Sequence, residues 1–316
     1  MFHWDGGLKL TRSGLAIDFR RRQPRAFISH AHADHLARHE YALCTPATAA
    51  LYQLRLGRRP TLELPYRTPH EWGGLRLTTY AAGHCLGSAM LLVQQRDESL
   101  LYTGDFKLGP SATAEPAELP HADLLVMEST YGDPAYRFPP RQQVIERLCE
   151  LVRQTIAAGA TPVVEAYALG KAQEVTRILS SEGFSVFQHR SAYAISQVYE
   201  SFGVAVGCAG MIAGPIEPGF VIVVPPGAPR SREGVREVRI AVTGWAIDPR
   251  AKYRLRVDEA LPLSDHADFD ELLEAVRRVA PRRVYCTHGP DSFVEHLREA
   301  GFEAHLLGRP SQRRLF

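Results

Sequence analysis

The chain has 316 residues, 45% hydrophobic and 23% charged, which is the balance of an ordinary globular protein long enough for one large or two modest domains. A net charge of +2 is too small to point to nucleic acid by itself. No long apolar run and no basic-then-apolar leader occurs, so the expectation is a cytoplasmic protein without a membrane segment. Cys44, Cys85, Cys149, Cys208 and Cys286 are odd in number, scattered and free of any CxxC spacing, which speaks against a disulfide framework or a thiolate zinc site.

From Leu8 to Val93 short apolar runs are broken by Gly and Pro, the pattern of strands and turns. Gly14 to Asp18 reads as a strand ending in a carboxylate. Ala26 to Ser29 reads as a strand that leads into Ser29-His30-Ala31-His32-Ala33-Asp34-His35. Four metal-capable side chains fall within six residues there, all imidazole or carboxylate, the donor set of zinc, manganese or iron at a hydrolytic centre. In an extended segment alternate residues share a face, so His30 and His32 can aim at one ion. If a helix follows, Asp34 and His35 turn toward a second point.

Thr45 and Pro46 mark the start of a helix running to Leu56. Leu75–Tyr80, Ala89–Gln94, Leu100–Thr103 and Leu124–Met127 read as further strands. Between and after them come His84, flanked by glycine at a bend, and Asp105, just past an apolar strand. Near Tyr131 the texture changes, with Gly132-Asp133-Pro134 and Pro139-Pro140 as a linker. An amphipathic helix over 142–158 follows, then alternating strands and helices to Val242, which suggests a small parallel α/β domain. Beyond Arg256 ligand-type residues return in Asp265-His266 and Thr287-His288-Gly289. The simplest organisation is one domain, 1–135 and 256–316, interrupted by a second at 136–255. Two candidate metal sites emerge: His30, His32, His84 and Asp105, and Asp34, His35, His288 and Asp105, with Asp105 shared.

The order Asp18, HxHxDH, His84, Asp105 resembles the metallo-β-lactamase fold. Glu128-Ser129-Thr130-Tyr131-Gly132, His266 and His288 resemble motifs A, B and C of the β-CASP nucleases within that fold, and Thr243-Gly244-Trp245 resembles the strand that closes their inserted domain. Cys44 to Gly57 further resembles the bacterial β-CASP exonucleases associated with ATP-dependent DNA ligases. The resemblance implies an α/β fold, an αββα sandwich carrying a smaller α/β β-CASP insert. It also implies two divalent ions (Zn²⁺ and/or Mn²⁺), a nucleic-acid substrate (single-stranded DNA favoured, RNA the alternative), and functional association with a DNA ligase and a helicase.

In the mechanism that follows from this resemblance, two cations about 3.5–4 Å apart clamp an in-line phosphodiester displacement. Asp34 helps orient the attacking water, Asp18 holds a ligand imidazole through its other ring nitrogen, and His266, held by Glu128, acts as general acid. Ser88 and Lys107 follow ligand positions and are candidates for phosphate contacts. Arg20-Arg21-Arg22 and Arg58-Arg59 are candidates for a strand-binding groove, although such charge runs are usually solvated faces. Small-ester hydrolysis and an inactive nucleic-acid-binding scaffold are the remaining readings. The insert and motifs disfavour the first, and the intact ligand set disfavours the second.

Overall fold

The computed structural model describes residues 1–214, 219–229 and 236–307, and the chain divides into two compact units. One contains 1–110, 114–137 and the described residues from 266 onward; the other contains 111–113 and 138–265.

The first unit begins with a six-stranded sheet in chain order: β1 (Phe2–Trp4), β2 (Leu8–Leu10), β3 (Ala16–Ile17), β4 (Arg25–Phe27), β5 (Tyr41–Cys44) and, after helix α1 (Pro46–Leu56), β6 (Thr61–Glu63). The pairings are antiparallel from β1 to β3 and parallel from β3 to β6. Helix α1 starts where Pro46 supplies a helix-ready φ and the Thr45 hydroxyl accepts the Thr48 N–H at 3.2 Å.

A second sheet contains β7 (His70–Trp72), β8 (Leu75–Ala81), β9 (Ala89–Gln95), β10 (Glu98–Tyr102) and β11 (Leu124–Glu128). The chain then enters the second unit, an all-parallel sheet among the described residues. Its elements are α2 (Arg141–Ala157), β12 (Thr161–Glu165), α3 (Lys171–Ser181), β13 (Val186–Gln188), α4 (Arg190–Ser201), β14 (Gly210–Met211), β15 (Val221–Val224), β16 (Glu237–Val242), α5 (Ala251–Leu255) and β17 (Glu259–Leu261), with strand order β14-β13-β15-β12-β16-β17. Its core joins Val144, Leu148 and Val152 of α2 to Val164, Val175, Val223 and Ile240. The chain returns with α6 (Phe269–Val279), β18 (Arg283–Thr287), α7 (Ser292–Glu299) and β19 (Ala304–Leu306), which complete the second sheet as β19-β18-β11-β10-β9-β8-β7.

Alternation along the strands explains the layers of the first unit. Leu91, Val93, Leu100 and Val126 face Leu10, Ile17, Phe27 and Leu43 of the first sheet in one apolar cluster. Their neighbours Met90, Leu92, Leu101, Leu125 and Met127 face the opposite way, against Leu272, Val276 and Val279 of α6 and Phe293 and Leu297 of α7. Each fully buried aliphatic side chain contributes about 1.5–3 kcal/mol. This is an αββα sandwich plus a separate parallel α/β unit.

The structure moves two sequence-based boundaries. The cuts between units fall after Arg137 and Asp265, against 135 and 255, because β17 extends the parallel sheet by pairing with β16 beyond Arg256. No helix follows the His30–His32 segment. Residues 33–35 form a turn closed by the His35 N–H on the His32 carbonyl at 3.2 Å.

Candidate metal centre

The candidate residues stand where strands of the first unit end. The chain runs from β4 into His30 and His32, from β8 into the turn that carries His84, from β10 into Asp105, and from β18 into His288, while Glu128 is the last residue of β11. Strands β10, β11 and β18 are parallel neighbours, so their carboxyl ends lie side by side and present these side chains along one edge. Close backbone approach makes the edge possible. Gly104 has φ +56°, and a Cβ there would lie 2.7 Å from the Ser29 side chain.

His30 Nε2 and His84 Nε2 each lie 3.0 Å from His32 Nδ1, and Asp105 Oδ2 is 3.5 Å from His30 Nε2 and 4.0 Å from His84 Nε2. These four side chains place one ligand atom each within 4.8 Å of one another. Burial, with the charge of His35 beside it, holds the His30 pKa well below the usual imidazole value. A neutral imidazole offers a lone pair, so a buried convergence of three ring nitrogens and one carboxylate suits a divalent cation, with the borderline-soft ions preferred.

Asp105 Oδ2 also reaches the other group, lying 3.2 Å from His35 Nε2. His35 Nε2 is in turn 3.8 Å from the exposed Asp34 carboxylate. His288 takes the left-handed region at φ +55° and sets its ring centroid 5.6 Å from that of His35. The structure therefore gathers the first predicted set at Asp105; of the second, His35 meets Asp105, and Asp34 and His288 stand beside His35. Burial opposes charge on His35, but the Asp105 and Asp18 carboxylates outweigh it and hold its pKa well above the ordinary value. Burial likewise pushes the Asp105 carboxyl up, and the His35 and His266 rings more than reverse this, holding it well below the usual range.

Asp18 anchors the arrangement from behind. Its Oδ2 is 2.8 Å from His35 Nδ1 and accepts the Ser29 hydroxyl (2.5 Å) and the Tyr102 hydroxyl (2.8 Å), and its Oδ1 accepts the Ser29 N–H (2.8 Å). An ionised carboxylate can only accept, so His35 donates from Nδ1 and turns Nε2 toward Asp105. Ser29 Oγ also lies 3.0 Å from His30 Nδ1. Ser29 and Tyr102 were missed in the sequence, although both stand in or beside apolar strands that lead directly to ligand positions.

Beside this cluster lies a second pair. Buried Glu128 accepts the Phe106 N–H at 2.8 Å and the Thr130 hydroxyl at 2.5 Å, and its two oxygens lie 3.0 and 3.1 Å from His266 Nδ1. The ring centroid of His266 is 4.6 Å from that of His84. A surface-turn carboxylate would be exposed and bonded only to near neighbours, whereas Glu128 is buried and, besides Thr130, meets Phe106 and His266 from distant parts of the chain. Asp268, two residues beyond His266, caps α6 by accepting the Glu271 N–H at 2.9 Å, which fixes the loop that carries the imidazole.

The predicted phosphate contacts fare differently. Ser88 is buried, and its hydroxyl oxygen accepts the N–H groups of His84 and Cys85 at 3.2 Å each, so it shapes the ligand turn rather than facing outward. Lys107 is also buried, its Nζ 4.0 Å from Glu271.

Residues 250–307 match the family described as RMMBL, the Zn-dependent metallo-hydrolase RNA specificity domain. A protein of Opitutus terrae named "Probable DNA ligase" is 41% identical over 97% of this chain and 31% of its own length. The "RNase J-like protein" of Methanocaldococcus jannaschii is 30% identical over 49% of this chain and 42% of its own, and "Endoribonuclease ysh1" of Schizosaccharomyces pombe is 35% identical over 36% and 15%. The chain thus spans less than half the length of each of these relatives. A crystal structure of an Enterococcus faecalis protein of unknown function superposes with a TM-score of 0.64 at 15% identity, over 89% of this chain and 78% of that one, a likeness of fold. The αββα sandwich with its parallel α/β insert, the histidine–aspartate cluster at the strand ends and these relatives agree, and together they support a metallo-β-lactamase-fold β-CASP nuclease.

Proposed function

We propose that the chain hydrolyses phosphodiester bonds of single-stranded nucleic acid, with DNA as substrate and exonucleolytic action in DNA repair. The observation that carries this reading is the Glu128–His266 pair, 3.0 Å apart and next to His84. A ligand cluster alone would serve many hydrolases. A carboxylate-held imidazole beside it adds the proton donor that an alkoxide leaving group needs.

In this reading His30, His32, His84 and Asp105 would hold one cation, and Asp34, His35 and His288, with Asp105, would hold another. Zinc and manganese are the expected ions. When bound, such ions supply an acidified water and neutralise charge on the phosphate. The chain's own residues do the rest. Asp18 keeps the His35 ring turned, and Asp34 helps orient the attacking water. Glu128 accepts the Nδ1 proton of His266, stabilising the imidazolium, whose other ring proton passes to the leaving oxygen. The departing oxygen leaves as a hydroxyl, and neutral His266 is reprotonated from solvent.

Support for DNA comes from the relative named "Probable DNA ligase", about a third of whose length aligns with this chain, which also favours functional association with a ligase. RNA is the second reading, favoured by the RNA-specificity description of the matched family and by the ribonuclease names of other relatives. No helix of the described residues is long and apolar enough to cross a membrane.

The test is cleavage of end-labelled single-stranded DNA and the identical RNA, with zinc or manganese added, beside Asp105→Ala. DNA shortened stepwise from one end, and lost in the variant, is the expected result. RNA cleavage with DNA intact would move the substrate to RNA. Cleavage of neither by metal-loaded protein would refute the nuclease reading.

A further inference from the structure

We propose that a cavity of the first unit seats one nucleotide of the substrate strand beside the scissile phosphate, with the Trp4 indole stacked on the base and Arg21 on a backbone phosphate. The proposal rests on the nucleic-acid reading above and adds to it a subsite and the residues that form it.

The cavity measures about 530 Å³, within the size range of small-ligand sites. Asp18, Asp34 and His288 form part of its wall, so it opens directly on the side of the centre where the more exposed ligand set stands. The rest of the wall includes Trp4, Arg20 and Arg21. Whatever occupies this space is therefore in reach of a group bound between His288 and Asp34, and at the same time of an indole and two guanidinium groups.

Each side chain is placed for that task by the fold. Trp4 is the last residue of β1, an edge strand, and is 47% exposed. What sets this indole apart from other exposed apolar side chains is its place in the cavity wall, where its open surface can meet a base. Nearby, a Cβ at Gly7 would lie 2.5 Å from the Phe19 ring, so the absence of a side chain lets the 5–7 turn settle on Phe19, and both residues line the same space.

The three consecutive arginines are not equivalent. The Arg20 Nε donates to the Asp34 carbonyl at 2.9 Å, and its guanidinium lies 3.7 Å from the Asp34 carboxylate, which ties it to the candidate centre. Arg22 pairs with Glu40 at 3.3 Å. Arg21, exposed between them, has no ion pair or hydrogen bond with any described residue, and it lines the cavity. A cation without a carboxylate, across a cavity from an open indole and next to a candidate phosphodiester site, complements a nucleotide: phosphate for the guanidinium, base for the ring. Stacking on an aromatic with a cationic track for the backbone is how single strands are held without reading their sequence.

The test is equilibrium binding by fluorescence anisotropy. Full-length protein stripped of metal with EDTA, so that binding is read without turnover, is titrated into a short fluorescein-labelled single-stranded DNA, and into the same sequence as RNA, over a series of salt concentrations. Trp4→Ala is expected to weaken binding roughly five- to hundred-fold, the loss of one base–aromatic stack, with the salt slope unchanged, and Trp4→Phe to recover most of it. Arg21→Gln is expected to lower the slope of log K against log salt by about 0.7, one phosphate contact on a single strand. If Trp4→Ala does not fold, as judged by its thermal unfolding, the Arg21→Gln slope decides. Wild-type affinity and slope in the folded variants, with the wild-type protein still cleaving, would overturn the subsite and leave the nuclease reading standing. Wild-type protein that neither binds nor cleaves any strand would overturn both.

Discussion

Asp18 Oδ2 lies 2.8 Å from His35 Nδ1, although Asp18 belongs to a segment seventeen residues earlier and takes the left-handed backbone region at φ +48°. That carboxylate also accepts Ser29 and Tyr102, so one buried oxygen sets which nitrogen of His35 faces Asp105. Asp18→Asn keeps the size and tolerates the positive φ, but its amide offers a single acceptor oxygen and a neutral partner. We expect it to lower metal affinity about 10- to 100-fold, read by competition with a chromophoric chelator. Unchanged affinity would mean that His35 holds its orientation without Asp18.

His266→Ala should cut turnover about 10²- to 10⁴-fold while metal content, measured by atomic emission, stays at the wild-type level. Glu128→Gln should slow turnover as well and move the alkaline limb of the pH–rate profile to lower pH, because a neutral amide no longer stabilises the imidazolium. If the two variants turned over at the wild-type rate, the proton would have to come from elsewhere.

Gly104 carries Asp105 past Ser29. A methyl group there would meet the Ser29 side chain at 2.7 Å in a backbone region that alanine avoids. Gly104→Ala should cost about 1–3 kcal/mol of stability and release Asp105 from its place between the two histidine sets, seen as a lowered denaturation midpoint and reduced metal content. A fully stable, fully metal-loaded variant would contradict the close approach.

His39 gives the fold a pH dependence of its own. It is buried, its Nδ1 accepts the Gln23 N–H at 3.1 Å, and its Nε2 has no partner among the described residues. Burial pushes its pKa from 6.5 down to about 4. The unfolded chain then binds more protons than the folded one between these values. The stabilisation is complete above pH 6.5 and is lost as pH falls toward 4. The loss should be on the order of 1–3 kcal/mol. In urea titrations across that range, His39→Asn should flatten this part of the stability curve, and a variant with the wild-type slope would rule the assignment out.

What could be read from the chain alone was local chemistry. The HxHxDH run, Asp105 after an apolar strand, the Thr45–Pro46 helix start and the alternating elements from Pro162 to Val242 are visible because each depends on near neighbours, through strand alternation, capping or backbone restriction. The shortest elements were harder. Strands β1 and β5 to β7 have three or four residues each, too few to show a period, and they exist because the sheet supplies partners.

The tertiary structure decided everything carried by distant pairing. Strand β17 joins the second unit by lying beside β16, which no change of composition at Arg256 could reveal. Whether a helix or a turn follows His32 was settled by the fold, as a turn at residues 33–35, and the Ser88 hydroxyl was taken up by two backbone N–H groups of its own loop. Tyr102 reaches Asp18 across 84 residues and Glu128 reaches His266 across 138. The sequence determined which donors are available, since ligand chemistry belongs to the side chain. Which of them meet depends on the order and register of parallel strands, which only the folded sheet sets.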